Sequence, residues 1–328
     1  MTPQPFTAPA AAGHHHTSQS APQPKAAHPI APQPATTKPA SPQPAPIQAA
    51  ATQPATARST SPDNRLSDIQ ALIGTYYGMR HGASIPSSQQ RVCSSMAAGI
   101  DPRNGLTELG RQEVQRSSEA WLQANAAAID LALRRGQLLI LSSPFSRSRE
   151  SAEMLAATIE TWWQASPGSG VSGSGVSGSS VSGNSGPGSS GPGSSGPGSS
   201  GFASSSPVRR PPIRIEPDLR ERDFGSFEGQ SPSGPIYRRV WDQDVLDPHG
   251  QPWGVESAAA VQRRATALIQ RLERQSQGHP ERIVVLVSHG DTLKILQTGF
   301  QKQIPSTHQN PAQVKPFRTA EIRGFQLR

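Results

Sequence analysis

The stretch Ile283-Val284-Val285-Leu286-Val287-Ser288-His289-Gly290-Asp291 decides the fold. Five aliphatic residues in a row, with no polar alternation, read as a strand buried on both faces, as in a parallel sheet covered by helices. A polar turn follows, and a helix is expected over 291–300 with Asp291 as its N-cap, a position Asp favours. Upstream the same order recurs. Leu138-Leu139-Ile140-Leu141 reads as a short buried strand, followed by a helix over 144–163 that Pro144 is placed to open. Residues 71–79 read as a strand carrying Tyr76 and Tyr77, and Gly78 and Gly74 within it mark a close backbone approach. Helices are expected over 106–128 and 257–275, with short strands at 213–215 and 320–325. Strands alternating with helices predict an α/β fold, a three-layer α/β/α sandwich with a mostly parallel central sheet.

Away from these segments the composition changes twice. Residues 1–62 hold 14 of the 33 prolines, three bases (Lys25, Lys38, Arg58) and no acid. Residues 166–206 are Val-Ser-Gly repeats that give way to Gly-Pro-Gly-Ser-Ser. Neither stretch has the apolar side chains that offset chain entropy. We expect a disordered Pro/Ala/Gln-rich tail over 1–62. Over 63–328 we expect one domain, interrupted by a Gly/Ser-rich disordered insertion at 166–206. Closing a loop of about 40 residues rather than about 5 costs only about 2 kcal/mol, and both sides of the tract are needed to build the site described below. His14-His15-His16 in the tail reads as solvated rather than as a metal site.

Several classes are excluded. No apolar run approaches the about 20 residues of a membrane span, and the N-terminal stretch has no apolar core of the secretory type. The single cysteine, Cys93, rules out an internal disulfide and a Cys-rich zinc site. The net charge of +8 is spread out, and the pairs Arg209-Arg210 and Arg238-Arg239 lack the aromatic interleaving of a single-strand binder. Small anionic molecules are the better match to this excess of base, and neither nucleic acid nor membrane is expected as a partner. We expect a cytoplasmic protein, with a plastid as the alternative suggested by the acid-free tail.

Ligands of such folds bind beyond the carboxyl ends of the strands, so the residues that follow each strand carry the functional reading. They are Arg80-His81-Gly82, then Ser142-Ser143-Pro144-Phe145-Ser146-Arg147, and finally Ser288-His289-Gly290-Asp291. Between the last two lies Leu219-Arg220-Glu221-Arg222-Asp223-Phe224-Gly225. Each feature alone has a plain structural explanation: a turn histidine, a solvated arginine, an N-cap aspartate, a surface ion pair. Together at strand ends they suit phosphoryl transfer through a covalent intermediate. An imidazole attacks phosphorus when one ring nitrogen is free and the other is held. Arginine forks hold the phosphoryl oxygens, and a protonated carboxyl supplies the leaving group's proton. No metal ligand set is visible, and no cofactor is expected.

These four motifs, in this order, resemble the histidine phosphatase superfamily in its phosphoglycerate-mutase-like branch, most of all plant and green-algal members. Gly105-Leu106-Thr107-Glu108-Leu109-Gly110 and Val255-Glu256-Ser257 are also similar to family segments. The resemblance covers about residues 70–165 and 208–325. It implies that His81 is the nucleophile that becomes phosphohistidine and that Glu221 is the proton donor and then the base that activates water. It implies that Arg80, Arg147 and His289 complete the phosphate pocket, with Gly290 beside them, and that residues 229–254 lie over it. Tyr237, Arg238, Arg239 and Trp241 are candidates for specificity there. Many family members carry Asn six residues after the nucleophilic histidine. Here Ser87 stands in that place, a shorter substrate-binding candidate. The expected activity is a phosphomonoesterase of the histidine acid phosphatase type acting on a small phosphorylated metabolite. The alternatives are a phosphoglycerate mutase and a catalytically weak binding module for phosphorylated ligands.

Overall fold

The computed structural model describes residues 62–166, 210–231 and 235–328. The expectations for the N-terminal tail, His14-His15-His16, Arg209 and nearly all of the Gly/Ser tract lie outside them. In chain order the strands are β1 (Thr75–Arg80), β2 (Leu138–Ser142), β3 (Ile213–Ile215), β4 (Ile283–Ser288) and β5 (Ile322–Gly324). The helices are α1 (Ile85–Ser88), α2 (Met96–Gly99), α3 (Glu108–Arg134), α4 (Ser146–Ala165), α5 (Ile236–Leu246), α6 (Ala258–Gln275) and α7 (Gly290–Phe300).

The five strands form one sheet in the order β3-β2-β4-β1-β5. The four that precede β5 pair in parallel, and β5 runs antiparallel along β1. β4 lies at the centre, and every one of its residues is buried. Its alternate side chains feed two cores. Val285 and Val287 pack with Met79, Ile140 and the apolar faces of α3 and α4. Val284 and Leu286 pack with Tyr76, Leu141 and the apolar faces of α6 and α7. This is why the aliphatic run in β4 shows no alternation: both faces of a central parallel strand are covered. The described residues all belong to one compact unit, Thr56–Arg328, and β2 pairs with β3 from the far side of the Gly/Ser tract.

Several boundaries differ from those read in the sequence. β1 starts at Thr75 rather than at residue 71. The amides of Ile73 and Gly74 donate to the Glu273 carboxylate on α6, at 2.7 and 3.2 Å, and so are diverted from the sheet. α3 continues past residue 128 to Arg134, because Ile129 and Ala132 extend its buried face. Its backbone leaves helical geometry only at Asn125, whose side chain is held by the Trp121 carbonyl and the Tyr77 hydroxyl. Pro144 does not open α4: Phe145 is the N-cap, and Pro144 stands ahead of it. Asp291 is not the cap of α7. That position belongs to His289, whose carbonyl already accepts from the Leu293 amide, so Asp291 falls within the first turn. Gly78 does mark a close approach. A Cβ there would lie 2.7 Å from the Phe325 ring and 3.0 Å from that of Phe317. Around Gly74 nothing lies nearer than 3.5 Å.

Candidate active site

The carboxyl ends of β1, β4 and β2 lie side by side, and backbone bonds knit the loops that leave them. The His81 amide donates to the Ser288 carbonyl at 3.1 Å, and the Ser143 amide to the Val287 carbonyl at 2.9 Å. This brings His81, Arg147 and His289 together although they are far apart in sequence. The loop after His81 is seated by glycine. A Cβ on Gly110 would collide with the Ala83 carbonyl, and one on Gly82 with the Gly110 carbonyl. The first turn of α3 therefore rests directly on the backbone of the histidine loop.

His81 is 4% exposed. Its Nδ1 lies 2.7 Å from the Gly82 carbonyl, which only accepts, so Nδ1 carries the proton and Nε2 keeps its lone pair. Arg147 Nε donates to that Nε2 at 3.1 Å. Burial, together with the charges of Arg147 and Arg80, holds the His81 pKa well below its ordinary value, so the ring is neutral. This is the protonation state that a nucleophilic imidazole needs.

Arg147 stands in the first turn of α4, 4% exposed. Its other donors go to the Cys93 carbonyl at 2.9 Å and the Cys93 Sγ at 3.5 Å. Arg80 donates through Nη1 to the Phe317 carbonyl at 3.0 Å, and its buried Nε has no partner among the described residues. Neither guanidinium is paired with a carboxylate among the described residues, although Arg222 nearby is held bidentately by Asp244 at 2.6 and 2.7 Å. A buried cation without a counter-ion is costly unless an anion completes it. Arg147 is such a group, and with the half-buried Arg80 it stands beside one neutral imidazole.

Glu221 is fixed by the Arg222 amide at 3.0 Å and by the Thr292 amide and hydroxyl, each at 3.2 Å. Burial and the Asp291 charge raise its pKa and outweigh the lowering by Arg147 and the two amides. Asp291 itself is held below the usual carboxylate range. Burial works against this, but Lys294, His308 and Arg222 outweigh it. The two neighbouring carboxyls are thus pushed apart, one toward the acid form and one toward the anion, the pattern that separates proton donors from charged groups.

A small cavity of about 80 Å³ joins these groups, lined by Arg80, His81, Arg147, Glu221 and Tyr237. Ser87 lines it too, its Oγ 3.0 Å from that of Ser84. Gly290 borders a larger cleft of about 460 Å³ that shares Arg80, Glu221, Phe224 and Tyr237 with the small cavity. His289 is nearby but set behind. Its ring lies edge-on to that of His81 with centroids 5.1 Å apart, it is fully buried, and Nε2 faces the hydroxyls of Ser143 at 2.8 Å and Ser148 at 3.2 Å. The expectation for residues 229–254 holds in part. Tyr237 and Trp241 line the larger cleft, whereas Arg238 and Arg239 point to solvent, the guanidinium of Arg239 lying 4.9 Å from the Trp253 ring centroid. Arg91, Cys93, His308 and Lys294 line the two spaces and were not singled out in the sequence as site residues. They come from irregular loops or a helix flank, and no motif or period marks them.

Among the described residues no group of three or more His, Cys, Asp or Glu side chains is arranged to hold a metal ion. No helix among them is long and apolar enough to cross a membrane.

A search of the curated proteins gives no match. Solved structures do match. A mycobacterial hydrolase aligns with a TM-score of 0.47 and 20% identity, covering 76% of this chain and 88% of its own. The mycobacterial glucosyl-3-phosphoglycerate phosphatase aligns with a TM-score of 0.47 and 20% identity, over 76% of this chain and 89% of its own. The alpha-ribazole phosphatase of Shigella flexneri aligns with a TM-score of 0.45 and 15% identity, over 76% of this chain and 89% of its own. Residues 203–322 match the family model described as the histidine phosphatase superfamily (branch 1). That span includes Glu221, His289 and Gly290, while His81 and Arg147 precede it. Residues 203–322 are thus similar to the histidine phosphatase superfamily (branch 1).

Proposed function

We propose that this chain hydrolyses a small phosphomonoester through a phosphohistidine at His81, without a metal ion or cofactor. One observation carries the proposal: a neutral His81, its unprotonated Nε2 accepting from Arg147 Nε at 3.1 Å, stands beside two guanidinium groups that have no carboxylate partner among the described residues. In the first step the phosphoryl group enters the small cavity and takes the donors of Arg80 and Arg147. His81 Nε2 forms the N–P bond, the ester P–O bond breaks, and the leaving alkoxide receives the proton of the Glu221 carboxyl. In the second step the Glu221 carboxylate removes a proton from water, the water oxygen attacks phosphorus, and the P–N bond breaks to release inorganic phosphate and the neutral ring. Fixed cations at the developing charge provide the main stabilisation in such transfers. His289 acts behind His81 as a positioning residue, and Ser87 and Gly290 border the substrate.

We also take residues 63–328 as one phosphatase domain interrupted at 166–206. The pairing of β2 with β3 across the tract supports this, as does a candidate site whose His81 and Arg147 precede the tract and whose Glu221 and His289 follow it.

The test is hydrolysis of 4-nitrophenyl phosphate between pH 5 and 8, with chelator present, by the full chain and by His81→Ala. The wild type turns over and is indifferent to chelator, and the variant loses at least about a thousandfold, as loss of a covalent nucleophile does. Activity that survives in His81→Ala, or that needs added metal, sinks the proposal.

A further inference from the structure

The larger cleft continues from the small cavity, and its walls differ in character. Tyr237 and Trp241 lie stacked, with centroids 5.7 Å apart and planes 25° from parallel, and Phe317 and Val314 line the same cleft. About 460 Å³ is within the range of sites that enclose a small organic molecule, roughly 300–1,000 Å³. It is much more than the remainder of a three-carbon ester needs.

The charges in the cleft decide what kind of molecule fits. Arg80 stands at the boundary with the phosphate cavity. Apart from it, the lysine or arginine among the described lining residues is Lys294, and that charge is already balanced. Its Nζ lies 3.3 Å from Asp291 Oδ1 and 3.9 Å from the centroid of the Trp241 ring. His308 is tied through Nε2 to Asp244 at 3.1 Å. A second carboxylate or phosphate on the ligand would therefore meet the Asp291 carboxylate and no unpaired cation beyond Arg80. Two buried polar atoms of lining residues, His308 Nδ1 and Gln309 Nε2, have no partner among the described residues and stand ready for polar atoms on a ring.

The geometry points to a phosphomonoester whose alcohol half carries an aromatic or heteroaromatic ring and no second anionic group, the ring lodging against Tyr237 and Trp241. This rests on the phosphatase reading for the position of the phosphate, and it sets the substrate apart from phosphoglycerates.

The test measures binding of non-hydrolysable phosphonates to the full chain by calorimetry, so that it does not depend on turnover. The probes are 2-phenylethylphosphonate, ethylphosphonate, 3-phosphonopropionate and inorganic phosphate. The aryl compound binds at least about tenfold tighter than ethylphosphonate, as ring burial and stacking together imply, and 3-phosphonopropionate binds more weakly than ethylphosphonate. Trp241→Ala reduces the aryl preference toward one. Should that variant not fold, Gln309→Arg, at a half-exposed position, serves instead: it adds a cation and makes 3-phosphonopropionate the tighter ligand relative to ethylphosphonate. Equal binding of aryl and ethyl compounds, or preference for 3-phosphonopropionate in the wild type, overturns the inference and leaves the phosphatase reading intact. If neither inorganic phosphate nor any phosphonate binds, the phosphate site is wrong and the inference falls with it.

Discussion

Glu221 sets the pH dependence. It must be protonated to donate to the leaving alkoxide, and burial with the Asp291 charge raises its pKa above the ordinary 4.5. As pH rises through that raised value the acid form disappears, and kcat/KM falls. His81 works on the other side. Burial and the charges of Arg147 and Arg80 hold its pKa well below 6.5, so the ring takes up a proton only as pH falls through that lowered value. Activity therefore has a basic limb set by the raised Glu221 value and an acid limb set by the lowered His81 value. Glu221→Gln lowers kcat/KM for an alkyl phosphate by about 10²–10⁴-fold, loses far less on 4-nitrophenyl phosphate, whose leaving group needs no proton, and flattens the basic limb. An unchanged basic limb in that variant contradicts the assignment. Ser87→Asn extends a donor toward the phosphate cavity that Ser87 already lines. One added charge-assisted bond of about 1.5 kcal/mol raises kcat/KM about tenfold, and an unchanged kcat/KM shows that the position does not touch the ester. His81, Arg80, Arg147 and Glu221 were legible in the sequence because each follows a strand or sits in a compact polar motif of matching chemistry. His308 was not: its place depends on a buried bond to Asp244, 64 residues away, and no spacing encodes that.

The strands and helices hold these groups through a few crowded contacts. Gly78 in β1 faces the rings of Phe325 and Phe317 at distances that leave no room for a methyl group. Gly78→Ala therefore destabilises by about 1–3 kcal/mol through overpacking, whereas Gly74→Ala, whose Cβ would meet its nearest neighbours at an ordinary contact distance of 3.5 Å, changes stability little. Urea unfolding of both variants checks the contrast, and equal effects contradict it. Arg222 joins the loop of Glu221 to α5 through its bidentate pair with Asp244, both groups buried. Asp244→Asn leaves a buried guanidinium without its counter-charge and costs about 3–5 kcal/mol. A loss under 1 kcal/mol shows that Asp291, 3.5 Å from Arg222, can replace it. The strand cores were plain in the sequence because burial on both faces leaves aliphatic runs. The start of β1 was hidden because a distant side chain, Glu273, captures the amides that would have extended it.

Taken together, the described residues form a five-stranded, mostly parallel sheet whose strand ends converge on one neutral histidine. The layers were legible from the alternation of aliphatic and amphipathic segments. Of the aromatic cleft only Tyr237 and Trp241 were legible, because its other walls come from α7 and the segment 308–317, and only the tertiary fold brings these together. If residues 166–206 are an insertion with no part in the site, replacing them with a short Gly-Ser linker preserves kcat/KM and raises stability by up to about 2 kcal/mol. Loss of activity with the fold intact assigns the tract a role in catalysis. The central claim is the covalent step at His81. Rapid quench of the full chain during turnover of a ³²P-labelled phosphomonoester, with peptide mapping under alkaline conditions, addresses it directly. The expected result is acid-labile, alkali-stable label on the peptide containing His81, absent from His81→Ala. Turnover without label in the wild type, or label on another residue, contradicts the account.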